Sequence, residues 1–469
     1  MGPRKYLLVA AMPTPNGALH LGHVGAQYLP LDVFRRYQEQ QGNRVAYYGG
    51  FDVFDNAVCV AAQRNGRTPQ EHAAVVTSQI TAELQYLDIH IDGLINYADA
   101  AHSALARQLV GQLRETYGSR VSSRVAKFPF DETGRPLGGN WLRGRCAHCK
   151  AAVKGYACDL CGRSLLPSEL IDPETIDGSA IHWHAVALEF VTAPVQGLRA
   201  YLESLPCARP YLPLVTGRLD APELRLQWTN VDSWGLSLGG GAVVYNRNFT
   251  LVEQLLLGDL ARARLDLKEN AFCAASDVVS ILAYGKDNAG LLLADIPALA
   301  MATGYYQPYT YQWISPFYKL DSRKMSTSGN HAIWVRDASG SDAEAIRMYV
   351  CRKFDVRRDV DLSLAELCGE EVAHARLVDL VRSAIAQASR TGRPSDGVSG
   401  VLARLRATVR DAMQDGIADI AVFPRAIDEW VSLRPSASAT QWLLGLAELA
   451  APLLPRLTRE IDEHMEVSR

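Results

Sequence analysis

The chain reads as an α/β protein, a doubly wound parallel sheet broken by a cysteine-rich insertion and followed by an all-α C-terminal domain. Three observations predict this. The segment up to Asp55 runs strand, turn, helix, strand. Four cysteines in two CxxC pairs sit in a Gly/Arg-rich, weakly periodic stretch between Gly138 and Gly162. From Ser341 onward the apolar residues keep helical spacing.

Taken in order, residues 5–11 (Lys-Tyr-Leu-Leu-Val-Ala-Ala) predict a buried first strand. The preceding Pro3-Arg4-Lys5 copies the start of a secretory signal, but Thr14-Pro15-Asn16-Gly17 opens a polar turn where such a signal would need a small-residue cleavage site. Helical spacing follows at Leu21, Val24, Leu29, Val33 and Phe34, Gly42-Asn43 stops it, and Arg44–Tyr48 reads as a second strand. A strand–helix–strand unit of this kind holds ligands beyond the carboxyl ends of its strands, so Thr14–His23 and Gly49–Asp55 are expected on the ligand side. Residues from about 120 to 200 break the pattern as an insertion. Ala242–Tyr245 and Asp277–Tyr284 look like further strands of the same sheet, the second ending in Gly285-Lys286-Asp287. The helical region from Ser341 is interrupted only by Gly/Pro/Ser-rich turns at 392–400 and 435–439. The expected boundaries are a first catalytic half at 1–118, the insertion at 119–200, a second half at 201–340 and the helical domain at 341–469.

Composition narrows the class. With 469 residues, 48% of them hydrophobic and 21% charged, the chain is an ordinary globular protein and no disulfide-stapled, disordered, collagen-like or coiled-coil chain. Lys and Arg number 48 against 51 Asp and Glu, so any nucleic-acid contact must be a local patch. No apolar run approaches the roughly 20 residues of a membrane span. Nine cysteines, an odd number with four in CxxC pairs, point to a reducing compartment, and a cytoplasmic location is expected.

Three motifs carry chemistry. Cys146-Ala-His-Cys149 and Cys158-Asp-Leu-Cys161 have the spacing that closes four thiolates about zinc. A metal with all four corners filled by cysteine is structural; the alternative is four free buried thiols. Arg143, Arg145, Lys150, Lys154 and Arg163 around the knuckle are either a solvated rim or a nucleic-acid contact. In Pro15-Asn16-Gly17-Ala18-Leu19-His20-Leu21-Gly22-His23, two imidazoles share one face of a helix N-terminus, beside free backbone N–H groups, which suits a phosphate. Arg323-Lys324-Met325-Ser326-Thr327-Ser328-Gly329 is a basic, hydroxyl-rich loop that could neutralise a triphosphate, or an ordinary surface turn.

Together these motifs resemble the class I aminoacyl-tRNA synthetases, and within them the methionyl-tRNA synthetases. His20-Leu-Gly-His23 is similar to the family's HIGH motif and Lys324-Met-Ser-Thr-Ser328 to its KMSKS loop, with the cysteine knuckle in the insertion where that family carries zinc. The likeness continues through Ser168–Pro173, Gly285–Asp287 and Ala343–Tyr349 and covers about residues 5–370. It implies a Rossmann-like catalytic domain that joins an amino-acid carboxylate to the α-phosphorus of ATP, with Mg2+, and then passes the acyl group to tRNA. Carried over, His20, His23, Arg323 and Lys324 would be catalytic, and Asn16, Gly22, Asp287, Met325 and Ser326 would hold ATP. Asp52 would bind the substrate's α-ammonium, while Thr14, Val244, Arg247, Leu291, Leu292 and Ile296 would line the side-chain pocket. Cys146, Cys149, Cys158 and Cys161 would bind structural zinc.

The departures matter as well. Thr327 replaces the family's second KMSKS lysine, which predicts slow adenylation or a substitute role for Arg323. The GTDEHG segment reads Gly50–Asp55 here, keeping only its first acid. The aromatic walls of a thioether pocket are replaced, and Arg247 either meets an acidic or polar substrate side chain or is a surface arginine. Val381 and Ile385 stand where the family reads the anticodon, and residues 411–469 carry ten acids against five arginines, which argues against anticodon reading in the usual manner. The leading expectation is therefore ATP-dependent amino-acid activation and acyl transfer to tRNA. Two alternatives stay open: a biosynthetic paralogue passing another aminoacyl adenylate to a small-molecule amine, and a non-catalytic RNA-binding or regulatory protein. Neither a membrane nor DNA is expected as a partner.

Overall fold

The computed structural model describes residues 2–327, 329–388, 396–434 and 437–467. Ser328 of the basic loop and parts of the two turns expected at 392–400 and 435–439 lie outside the described residues. Lys5–Ala10 forms the central strand of a five-stranded parallel sheet, flanked by Arg44–Phe51 and then Gly93–Asn96 on one side, and by Val279–Gly285 and then Tyr311–Ser315 on the other. Its residues Tyr6, Leu7 and Leu8 are wholly buried, as expected of a parallel strand covered on both faces. Helix Leu29–Gln40 covers one face, where Phe34 meets Tyr6 and Trp313 edge-on. The helix begins eight residues earlier than this, at Leu21–His23, and passes through a widened π turn at Val24–Tyr28.

Ala242–Val244 does not join this sheet. It pairs with Ser237–Gly239 and Thr229–Val231 in a small antiparallel sheet of its own. The cause is local: Gly239, Gly240 and Gly241 all adopt positive φ and turn the chain back on the segment before it, a pairing that closes a far shorter loop than docking on the main sheet. The insertion also runs further than expected. Val121–Phe130 pairs with His182–Pro194, which in turn pairs with Glu223–Gln227, past the expected boundary at 200. Above it the knuckle strands Leu142–Cys146, Ala152–Lys154 and Leu170–Thr175 enclose a second small core of Leu137, Trp141, Val153 and Leu165.

The C-terminal region is helical but not throughout. Val360–Leu362 lies parallel to Tyr318–Leu320, which pairs with Arg323–Lys324, so the basic loop hangs from a three-stranded sheet that crosses the boundary expected at 340. Met413–Gln414 and Ile417–Ala418 form a further hairpin. Runs of two or three residues leave too little periodicity to be read from sequence. Among the described residues no helix is long and apolar enough to cross a membrane.

A buried arginine ties the C-terminal helices to helix Leu29–Gln40, which covers the sheet. Arg347, wholly buried, meets Asp32 at 2.8 Å and donates to the carbonyls of Leu453 at 2.7 Å, Pro452 at 3.1 Å and Leu87 at 3.2 Å. Burial pushes the Asp32 carboxyl up, but Arg347 and Arg36 outweigh it and hold it below the usual carboxylate range. This contribution is present above the ordinary carboxylate pKa and lost as pH falls through the depressed one. Arg347→Leu strands Asp32 without its main partner and is expected to cost about 3–5 kcal/mol of stability. Urea unfolding at neutral pH checks this, and a loss under 1 kcal/mol would refute it.

Candidate active site

A cleft of about 390 Å3 opens beyond the carboxyl ends of the central strands, lined after the first strand by Met12–Thr14, after the second by Asp52 and Asp55, and after Val279–Gly285 by Asp287 and Asn288. Helix Asn246–Leu265 supplies one wall through Asn246, Arg247, Thr250, Glu253, Gln254 and Leu257. A second widened π turn, Leu291–Asp295, brings Leu291 and Leu292 to another wall.

His20 caps the helix that follows the first strand. Its Nδ1 accepts from the His23 backbone N–H at 3.2 Å, and His23 Nδ1 accepts from the His20 backbone N–H at 3.3 Å. The two rings stack with centroids 3.8 Å apart. Because both Nδ1 atoms accept, a neutral ring must carry its proton on Nε2, and the pair offers two N–H donors. Burial, with His23 and Lys324 adding to it, lowers His20 to about 2. Burial and Lys324 likewise lower His23 to about 4, although Asp287 pulls the other way. Both rings are therefore neutral near pH 7 and act as hydrogen-bond donors rather than cations.

The basic loop sits across the same helix start. Leu21 N–H donates to the Ile333 carbonyl at 2.9 Å and Val335 N–H to the Leu19 carbonyl at 3.1 Å. Lys324 Nζ pairs with Asp287 at 2.9 Å and lies 4.2 Å from the Phe317 ring centre. Met325, Ser326 and Thr327 follow it along the cleft.

The opposite end is acidic. Asp52 accepts from Asn246 Nδ2 at 3.3 Å and from Thr14. Asp55 accepts from the Ala57 N–H at 2.7 Å and from Asn140 Nδ2 at 2.7 Å. Burial, and then the neighbouring Asp55, pushes Asp52 well above the usual carboxylate range. Burial together with Asp52 does the same to Glu253. With both carboxyls raised, Asp52 and Glu253 favour the protonated form in the free cleft, and a bound ammonium would let both ionise.

Of the residues singled out from sequence, Asn16, Gly22, His20, His23, Asp52, Thr14, Arg247, Leu291, Leu292, Asp287, Lys324, Met325 and Ser326 all line this one cleft. Arg323, Val244 and Ile296 do not. Arg323 is exposed on its edge strand and is not part of the cleft lining, while Val244 and Ile296 are packed in the core at 3% and 2% exposure. Sequence reading missed Asn246, Thr250, Glu253 and Gln254. Their signal was a polar stripe at helical spacing on an otherwise leucine-rich helix, which reads as a solvated face until the helix is known to border a cleft.

The cysteines converge as well. Cys146 and Cys161 Sγ are 3.8 Å apart, Cys149 and Cys158 Sγ 3.4 Å, and all four lie within 4.8 Å of one another. Tetrahedral bonds of about 2.3 Å to zinc place sulfurs about 3.8 Å apart, so the donor set fits that ion. The knuckle also touches the cleft wall. Gly162 and Gly290 meet backbone to backbone, so closely that a Cβ on Gly290 would lie 2.6 Å from the Gly162 carbonyl.

Residues 6–189 match the family model for class I (M) tRNA synthetases. The methionine–tRNA ligase of Methanococcus aeolicus is 24% identical over 383 residues, covering 77% of this chain and 55% of that protein. The methionine–tRNA ligase of Thermoplasma acidophilum is 26% identical over 377 residues, covering 77% and 68%. The chain thus spans little more than half to two thirds of the length of these relatives. Mycobacterium tuberculosis methionyl-tRNA synthetase, in complex with methionyl-adenylate, has the same fold: its TM-score is 0.73 at 17% identity, over 98% of this chain and 93% of that one.

Proposed function

We propose that this chain, which carries a class I tRNA synthetase domain homologous to the methionine–tRNA ligases, activates an amino acid with ATP and passes the acyl group to tRNA. The observation that carries this reading is the division of one cleft into a donor-rich mouth, with His20, His23 and Lys324, and an acidic depth around Asp52. Asp52, steadied by Asn246 and Thr14, takes the α-ammonium and turns the substrate carboxylate toward the nucleotide. A carboxylate oxygen attacks the α-phosphorus, the bond to the β-phosphate bridge breaks, and pyrophosphate leaves with the electron pair. The neutral Nε2–H groups of His20 and His23 donate to phosphate oxygens as charge builds there. Lys324 exchanges Asp287 for the departing phosphates, which frees Asp287 for the ribose hydroxyls. Mg2+ arriving with ATP would add to this positive charge. Thr327 supplies no second cation, so the first step is slow beside one with two lysines. In the second step an acceptor hydroxyl attacks the carbonyl carbon, loses its proton, and AMP departs. Cys146, Cys149, Cys158 and Cys161 would hold a zinc whose four corners are all filled by thiolates, a structural role that leaves the chemistry to the cleft.

The test is amino-acid-dependent ATP–pyrophosphate exchange, with and without tRNA. Exchange is expected; its absence with every amino acid would sink the reading. One observation favours a second reading for the acceptor: Val381, at a position the resemblance assigns to anticodon contact, is wholly buried in helix Leu364–Gln387. Acyl transfer to a small amine in place of tRNA would establish that version.

The raised carboxyls of Asp52 and Glu253 have a measurable consequence. Because both carboxyls are raised in the free cleft and a bound ammonium lowers them, amino-acid binding near pH 7 should release protons. Calorimetry in buffers of different ionisation enthalpy reads the number released, and Glu253→Gln should reduce it. Proton uptake would contradict the assignment of Asp52.

A further inference from the structure

Helix Asn246–Leu265 borders the cleft with polar atoms that have no hydrogen-bond partner among the described residues. Asn246 Oδ1, Arg247 Nε and Gln254 Oε1 are buried without a hydrogen-bond partner, and all three residues line the cleft. Such atoms carry a desolvation cost that a ligand can relieve. They are not alike. The two amide oxygens accept, and they stand with Asp52 and Glu253, where an ammonium brings N–H donors. Arg247 only donates.

Arg247 is also unlike its neighbour Arg218, which pairs with Asp295. Among the described residues Arg247 has no hydrogen bond and no ion pair; Asp55 feels its charge, but Ala57 and Asn140 already hold that carboxylate. Lys324, the other Lys or Arg in the described lining, belongs to the phosphate end through Asp287. A half-buried guanidinium next in sequence to the residue that steadies Asp52, with its fork unused, is built to receive a carboxylate.

We propose that Arg247 is a specificity determinant that binds a side-chain carboxylate of the substrate, so that the amino acid activated is an acidic one. This rests on the cleft being the adenylate-forming site. Leu291 and Leu292 then pack the methylenes of that side chain, and a thioether would leave Arg247 desolvated and unpaired.

The experiment pairs ATP–pyrophosphate exchange with calorimetric binding of the amino acid alone, using aspartate, glutamate, glutamine and methionine on the wild type, Arg247→Ala and Arg247→Lys. Aspartate or glutamate should be preferred over glutamine and methionine by about 100-fold or more in kcat/KM. Arg247→Ala should raise KM for the acidic substrate by about 100-fold with a smaller effect on kcat, and Arg247→Lys should recover part of it. Since Arg247 has no hydrogen bond or ion pair among the described residues, unchanged thermal melting of the variants is expected. Exchange with methionine, or a preference that survives Arg247→Ala, overturns the inference and leaves adenylation standing. Binding of an acidic amino acid without any exchange does the reverse, upholding the pocket and removing the reaction. No binding of any of the four overturns both.

Discussion

His20→Ala should reduce amino-acid-dependent ATP–pyrophosphate exchange by at least about 100-fold, the usual effect of removing one preorganised donor from a developing charge. Zinc content should stay unchanged, since the cysteine knuckle has a core of its own. The substitution does two things at once. It deletes an Nε2–H donor at the cleft, and it removes the side chain that caps the helix by accepting from the His23 N–H. The lost cap costs about 0.5–2 kcal/mol, too little to unfold a chain of this size. His20→Asn separates the two effects, because asparagine caps a helix well but cannot reach as far as an imidazole. Restored melting temperature without restored exchange is the expected pattern. Undiminished exchange in His20→Ala would place the nucleotide elsewhere.

The second large effect concerns the metal. Purified protein should hold one zinc per chain, and Cys149→Ser or a strong chelator should remove it. A core as small as that around Trp141 and Leu165 does not hold itself together, whereas binding to four cysteines is worth an apparent ~10–16 kcal/mol near neutral pH. Limited proteolysis should then cut between Leu142 and Thr175 while the parallel sheet stays intact. The damage should also reach the cleft. Gly162 braces Gly290 backbone to backbone, and the turn that carries Leu291 and Leu292 follows directly. KM for the amino acid should rise more than KM for ATP, because the brace lies at the side-chain end. A chain without zinc that exchanges normally would refute both the metal and the brace.

Much of this was legible in the sequence, for reasons that are local. The first strand, the helix after it and the second strand each show in a periodicity carried by consecutive residues. The two CxxC pairs are recognisable because two thiolates on one tight turn need that spacing whatever surrounds them. His20 and His23 share a face by the arithmetic of helical pitch alone. Ala242–Val244 was equally legible as a strand, yet its partner was not, since alternation says that a segment is extended and nothing about which edge it meets. Val244 and Ile296 were placed in the pocket and lie in the core, while Glu253 and Gln254 were passed over and line the cleft. A one-position error turns a side chain by about 100° on a helix, as at Ile296, and to the opposite face on a strand, as at Val244, enough in either case to exchange wall for core.

The sequence by itself determined the chemistry available: two imidazoles at a helix start, a lysine in a basic, hydroxyl-rich loop, four thiols in pairs, and a carboxylate after the second strand. Those are properties of neighbours in the chain. Only the tertiary structure decided which of them share a cavity, that Lys324 rests on Asp287, that the knuckle leans on Gly290, and that Asp52 from the end of the second strand faces the same cleft as Arg247 and Glu253 of the helix beside it. The physical reason is that charge and desolvation act through space over a few ångströms, and residues such as Asp52 and Glu253 are brought that close only when the sheet and the helix beside it pack.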